Sequence, residues 1–110
     1  CYVIIEPTEA LTVIDVNSGS FTRSANARET VLWTNCEASV EIARQLKLRN
    51  IGGVIIVDFI DMRDRKRIRE VEDTLRDAFK NDKARRKFAR ISEFGLLEMS
   101  RQRLSSTRIR

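Results

Sequence analysis

The chain has 110 residues, 42% hydrophobic and 34% charged, with one proline, four glycines and no histidine. That length suits one domain with one modest core. The composition excludes a disordered segment, an apolar run near the roughly 20 residues that span a bilayer, and histidine-based acid–base, nucleophile or metal chemistry.

Net charge is +5 but unevenly placed: residues 1–62 carry 5 Lys/Arg against 8 Asp/Glu, and residues 63–110 carry 16 against 8. A mildly acidic half joined to a strongly basic one points to a polyanionic partner, with the acids kept for another task. The N-terminal CYVIIEPTEA has neither a basic lead nor a small-residue cleavage site, so no signal peptide is expected there. A first residue of Cys1 suggests an excised segment. Cys1 and Cys36 make neither a disulfide framework nor a CxxC metal pair, which favours a reducing cytoplasm or organelle stroma.

In chain order, YVIIE (2–6) reads as a first strand that Pro7 ends. ALTVIDV (10–16) reads as its hairpin partner. NSGSFTRSANA (17–27) is a loop in which Gly19 can supply positive φ. A helix is predicted over 28–48, with Leu32, Cys36, Val40, Ala43 and Leu46 as its apolar seam. Glu29 near its start and Arg44, Lys47 and Arg49 near its end complement the helix dipole, and Asn50 with Gly52–Gly53 stops it.

VIIVDFI (54–60) is the most apolar run and reads as a central strand buried on both faces. A second amphipathic helix is predicted over 64–82, with Ile68, Val71, Leu75, Ala78 and Phe79 as its seam. KFARIS (87–92) and LLEMS (96–100) are shorter strands, and the tail from 101 has no core pattern. This order predicts an α/β fold: a small mixed sheet with a parallel β-α-β unit, flanked by hairpin strands, and two main helices.

The parallel unit brings two strand ends to one edge, where ligands of open α/β sheets bind. Asp15 ends one strand and Asp58 lies near the end of the other; Val13, Asp15 and Asn17 share one face. Two carboxylates placed together repel, and burial raises at least one pKa. A divalent cation relieves this, and magnesium is commonly held by one or two carboxylates plus substrate phosphate. Asn17 is suited to orienting a carboxylate or a coordinated water. Either aspartate alone would more often be a turn former or helix cap, and Asp61 is the weaker candidate, since it has the opposite parity to Asp58 and DMRDR reads equally as a helix start.

In the basic half, KARRKFAR gathers Lys83, Arg85, Arg86, Lys87 and Arg90 around Phe88. Such a run is ordinarily a solvated face, but guanidinium groups match phosphate and a neighbouring ring can stack on a base. Phe88 is equally placed to be core or stacking platform.

The blocks EALTVIDVNSGSFT, TNCEASVEIARQLKLRNIGGVIIVDFIDM and ISEFGLLEMSRQRLS strongly resemble the ribonuclease E/G family over nearly the whole chain. The resemblance implies that residues 1–110 are the DNase I-like catalytic subdomain. It implies that Asp15 and Asp58 hold one magnesium ion, that Asn17 supports the site, and that the activity is endonucleolytic cleavage of single-stranded RNA in RNA processing and decay. Products with 5′-phosphate and 3′-hydroxyl ends and a preference for AU-rich strands follow from the same resemblance. In that family, S1-like RNA-binding and 5′-end-sensing parts precede this segment. A cysteine zinc-link that joins subunits follows SRQRLS, and 105–110 carry no such cysteines. The remaining domains and a homo-oligomer are thus expected of the parent enzyme. The other reading is a non-catalytic RNA-binding or assembly module using the basic half, with the aspartates only capping turns.

Overall fold

The structure is a computed structural model that describes residues 2–17 and 27–105. Cys1, the Gly19 turn and the tail from 106 lie outside the described residues. Among the described residues, five strands and two helices follow in the order β1 (Tyr2–Pro7), β2 (Thr12–Asn17), α1 (Ala27–Leu48), β3 (Gly53–Asp58), α2 (Arg65–Ala78), β4 (Arg86–Phe88) and β5 (Leu96–Arg101). They form one mixed sheet ordered β1-β2-β3-β5-β4. Only β2 and β3 are parallel; β1–β2, β3–β5 and β5–β4 are antiparallel. The predicted α/β architecture is therefore the observed one, including the hairpin and the parallel β2-α1-β3 unit.

Strand alternation divides the sheet into two faces. Ile14, Val16, Ile55, Val57, Leu97 and Met99 project to one face and build the core with α1 and α2. From α2 come Val71 and Leu75, with Phe79 just past its end. From α1 come Ala38, Ile42, Ala43 and Leu46. The buried stripe of α1 is thus shifted from the expected one: Val40 is 53% exposed, while Asn35 and Ser39 are buried at helical spacing from Ile42 and Leu46. These polar side chains are tolerated because they are hydrogen-bonded. Ser39 Oγ donates to Asn35 O, and the Asn35 amide reaches the backbone of Ile60.

Strand β3 also differs from the expected one. Its other face is not covered: Val54 is 48% exposed, Ile56 half-buried and Asp58 exposed, so only Ile55 and Val57 are buried within the strand. The strand also ends at Asp58, two residues earlier than predicted, although Phe59 N still donates to Gly95 O in register with the β3–β5 ladder. Likewise α2 starts one residue after Asp64, whose carboxylate accepts from Lys66 N as an N-cap, and it ends at Ala78. The strand predicted over 87–92 shrinks to Arg86–Phe88.

Helix α1 stops as expected. Asn50 adopts φ 53, and Ile51 N donates to Leu46 O. The chain then passes Gly52, where an added Cβ would lie 2.7 Å from Arg103 N and 2.9 Å from Arg101 O. Beside it lies a buried ion pair, Arg101 with Asp82 at 2.8 Å. The Arg101 guanidinium also donates to Ile51 O and Asn50 Oδ1, tying the end of β5 to the helix stop. This pairing with Arg101 chiefly holds the Asp82 carboxyl below the usual aspartate range.

Candidate metal centre

The parallel register places Asp15 opposite Asp58. Adjacent strands lie about 4.8 Å apart, so the two carboxylates stand side by side. Both are on the face away from the helices and both are exposed, at the C-terminal edge of the parallel pair. Ile4 flanks Asp15 from β1 and Leu96 flanks Asp58 from β5. Asn17, the last residue of β2, is half-buried and shares the parity of Asp15. The three residues predicted from TVIDVNSG and VIIVDFI thus come together at one edge.

Burial first, and then the negative charge of Asp15, pushes the Asp58 carboxyl above the usual aspartate range. Such a pair favours a bound cation. Among the described residues, no group of three or more His, Cys, Asp or Glu is placed to hold a metal. Two carboxylates without nitrogen or sulfur donors suit magnesium, which retains several waters, rather than a four-ligand zinc site. Among the described residues, neither aspartate caps a turn or a helix: that role falls to Asp64 at α2 and to Asp82, which accepts from Ala84 N. Asp61 is exposed and lies 3.8 Å from Arg63.

The segment after Asp58 is held by a residue that sequence reasoning missed. Asn35 donates to Ile60 O at 2.9 Å and accepts from Ile60 N at 3.1 Å, so one buried amide fixes the peptide two residues beyond Asp58. Its signal in the sequence was an amide within the inner stripe of a helix, where an apolar residue is the default.

The five basic candidates are not gathered around the aspartates. β5 lies between β3 and β4, and Arg86 and Gly53 both pair with Arg101. The basic strand therefore begins level with the start of β3, five residues or about 17 Å of strand from Asp58. Lys83, Arg85, Arg86 and Lys87 line an open groove of about 890 Å3 there. Arg86 is partly committed to structure, donating to Asp82 O and Ala84 O. Arg90 lies apart from this groove, in a second one between 90–93 and the start of α2. Phe88 is half-buried: its ring packs against the core at Phe79, centroids 5.5 Å apart, with the Arg76 guanidinium 5.9 Å away, and it also lines the basic groove. No helix among the described residues is long and apolar enough to cross a membrane.

With this geometry in place, comparison with known proteins is informative. The profile of the "Ribonuclease E/G family" matches residues 1–104. The chain is 67% identical to a ribonuclease E of Nostoc over 102 residues, covering 93% of this chain and 15% of that protein. It is 55% identical to the ribonuclease E of Escherichia coli over 103 residues, 94% of this chain and 10% of that protein. A ribonuclease E/G-like protein of Porphyra purpurea is 51% identical over 102 residues, 93% of this chain and 20% of that protein. The chain thus spans between a tenth and a fifth of these relatives. It belongs to the ribonuclease E/G family.

Proposed function

We propose that residues 1–110 are the DNase I-like catalytic subdomain of a magnesium-dependent endoribonuclease that cleaves single-stranded RNA in RNA processing and decay. The observation that carries this reading is the Asp15–Asp58 register on an open sheet face, joined to membership of the ribonuclease E/G family. Asp15 and Asp58 hold one magnesium ion and Asn17 orients the site. Bound magnesium supplies Lewis-acid polarisation of a phosphodiester. In the cleavage a water oxygen bonds to phosphorus, the P–O3′ bond breaks, and a proton ends on O3′, leaving 5′-phosphate and 3′-hydroxyl ends. The uncovered face lets an RNA backbone reach both carboxylates without any element of the sheet moving. The wider RNA contacts, 5′-end sensing, the zinc-link and oligomer formation belong to other segments of the parent enzyme, which acts in the cytoplasm or an organelle stroma.

The test is Asp15→Asn and Asp58→Asn in the complete enzyme. Each is expected to abolish cleavage while RNA binding persists. Normal cleavage by either variant at low magnesium removes that residue from the mechanism.

The exposed apolar positions Ile4 and Val54 on the same sheet favour a second reading, a non-catalytic assembly or RNA-binding module. Magnesium titration separates the two. Saturable binding lost in Asp15→Asn supports the enzyme, whereas salt-sensitive RNA binding with no ion site supports the module.

A further inference from the structure

Phe94 is a large hydrophobic side chain left 81% exposed. An unburied phenylalanine ring ordinarily marks a mobile or unimportant position, but this one sits on a tightly held turn. Gly95 N donates to Ser92 O at 2.9 Å, and Ser92 N donates to Leu96 O at 2.8 Å. The Ser92 hydroxyl accepts from both Phe94 N and Leu96 N. Gly95 at φ 83 closes the turn, a conformation that an L side chain adopts only with strain. Two outside anchors complete it: Phe59 N donates to Gly95 O, and Ile91 N donates to the buried Glu72 carboxylate at 2.8 Å.

Those anchors fix where the ring stands. Leu96 is the register partner of Asp58 and Gly95 is bonded to Phe59, so Phe94 lies at the edge of the sheet that carries the aspartate pair. On the side of this turn facing α2 is a cleft of about 710 Å3 lined by Arg63, Arg65, Arg69 and Arg90, with three carboxylates also present: Asp61 beside Arg63, Glu72 committed to Ile91 N, and Glu93. An arginine-rich cleft that Ser92 and Glu93 line, followed in the chain by one exposed ring on a preorganised turn, matches a single-stranded polynucleotide, whose phosphates pair with arginine and whose unpaired bases stack on aromatic faces. An acidic peptide would use the arginines but leave the ring without a partner.

We infer that Phe94 is a stacking platform for an unpaired base next to the scissile phosphodiester, with the Arg63–Arg65–Arg69–Arg90 cleft taking the adjoining phosphates. This rests on the ribonuclease reading and extends it by naming the surface that positions the strand. Phe94 is a positioning residue: it fixes the RNA relative to the Asp15–Asp58 pair and takes no part in bond breaking.

The experiment uses the complete enzyme in Phe94→Ala, Phe94→Trp and Asp58→Asn forms, with single-stranded oligonucleotides carrying 2-aminopurine at successive positions around one cleavage site. Base–aromatic stacking is worth about 1–3 kcal/mol per base, so Phe94→Ala should weaken RNA binding roughly 5- to 150-fold. It should also remove the 2-aminopurine quenching at one position and leave magnesium affinity unchanged. Phe94→Trp should restore both binding and quenching. The Asp58→Asn form, used to trap uncleaved RNA, should keep the quenching. Unchanged affinity and quenching in Phe94→Ala overturn the stacking role, and if Asp58→Asn is inactive in the same preparation the ribonuclease reading still stands. A shifted oligomeric state in Phe94→Ala with unaltered RNA binding also overturns it, in favour of a protein contact.

Discussion

Replacing Asp58 by asparagine should have opposite consequences with and without a cation, which makes it the sharpest test of the proposed metal centre. Register partners on adjacent strands stand about 4.8 Å apart. Two like charges about 5 Å apart repel by roughly 0.8 kcal/mol in water-like surroundings and roughly 3 kcal/mol at an effective dielectric of about 20. Both carboxylates are exposed, so solvent screening holds the value near the lower limit, about 1 kcal/mol. Asparagine keeps the shape and removes the charge. In metal-free buffer of low ionic strength, Asp58→Asn should therefore stabilise the chain by about 1 kcal/mol. The gain should vanish near 1 M salt, where the Debye length is about 3 Å.

Magnesium should reverse the order. At about one hundred times its Kd it should add about 2.7 kcal/mol to the wild-type chain and nothing to a variant that cannot bind it. Stability also depends on pH through Asp58. A carboxyl whose folded pKa is raised binds more protons in the folded state, so its contribution to metal-free stability falls as pH rises from 3.8 through the raised value. Asp58→Asn should lose that fall. Urea titrations with and without magnesium measure all of this. A variant less stable than wild type without metal, or stabilised equally by magnesium, refutes the side-by-side arrangement.

Two further predictions concern the frame that carries the site. Arg101→Met strands the buried Asp82 carboxylate and should cost about 3–5 kcal/mol, whereas Arg101→Met combined with Asp82→Leu should recover most of it, because an apolar pair of similar volume needs no partner charge. Asp82 has a depressed folded pKa, so its stabilisation is fully present above 3.8 and lost as pH falls through the lower folded value; thermal unfolding of the wild type below that pH should show the loss, and the double variant should not. Gly52→Ala drives a Cβ into the backbone of Arg101 and Arg103, which cannot swing aside like a side-chain end. It should destabilise the chain by about 1–3 kcal/mol in a urea titration, and a loss under about 0.5 kcal/mol would mean that the close approach relaxes freely.

What the sequence made legible was local or forced by topology. Alternation in TVIDVN and VIIVD, a helix between them and the Asn50 stop determine a parallel pair, and with it the meeting of Asp15 and Asp58. The distance of the basic strand from that pair was not legible. It depends on β5 inserting between β3 and β4, a choice between two antiparallel neighbours that neither strand encodes in its own pattern. Phe88 and Phe94 illustrate the same limit: one lies in the predicted strand 87–92 and the other between that strand and 96–100, and neither position by itself tells whether the ring is covered. Only tertiary packing sends one ring against Phe79 and leaves the other on a turn.

The aspartate pair and the core are specified by a single alternation. Thr12 opposite Ile55 and Ile14 opposite Val57 bury their side chains against the helices, and that same register sets Asp15 opposite Asp58 on the other face. A slip of one residue along β3 would turn Asp58 into the core and bring Val54 and Ile56 in place of Ile55 and Val57. Burying an unpaired carboxylate is far costlier than any gain from those two apolar side chains. The proposed metal site is therefore guarded by the packing beneath it. Substitutions at Ile14 or Val57 that loosen the register should weaken magnesium binding even though neither side chain shares a face with the carboxylates.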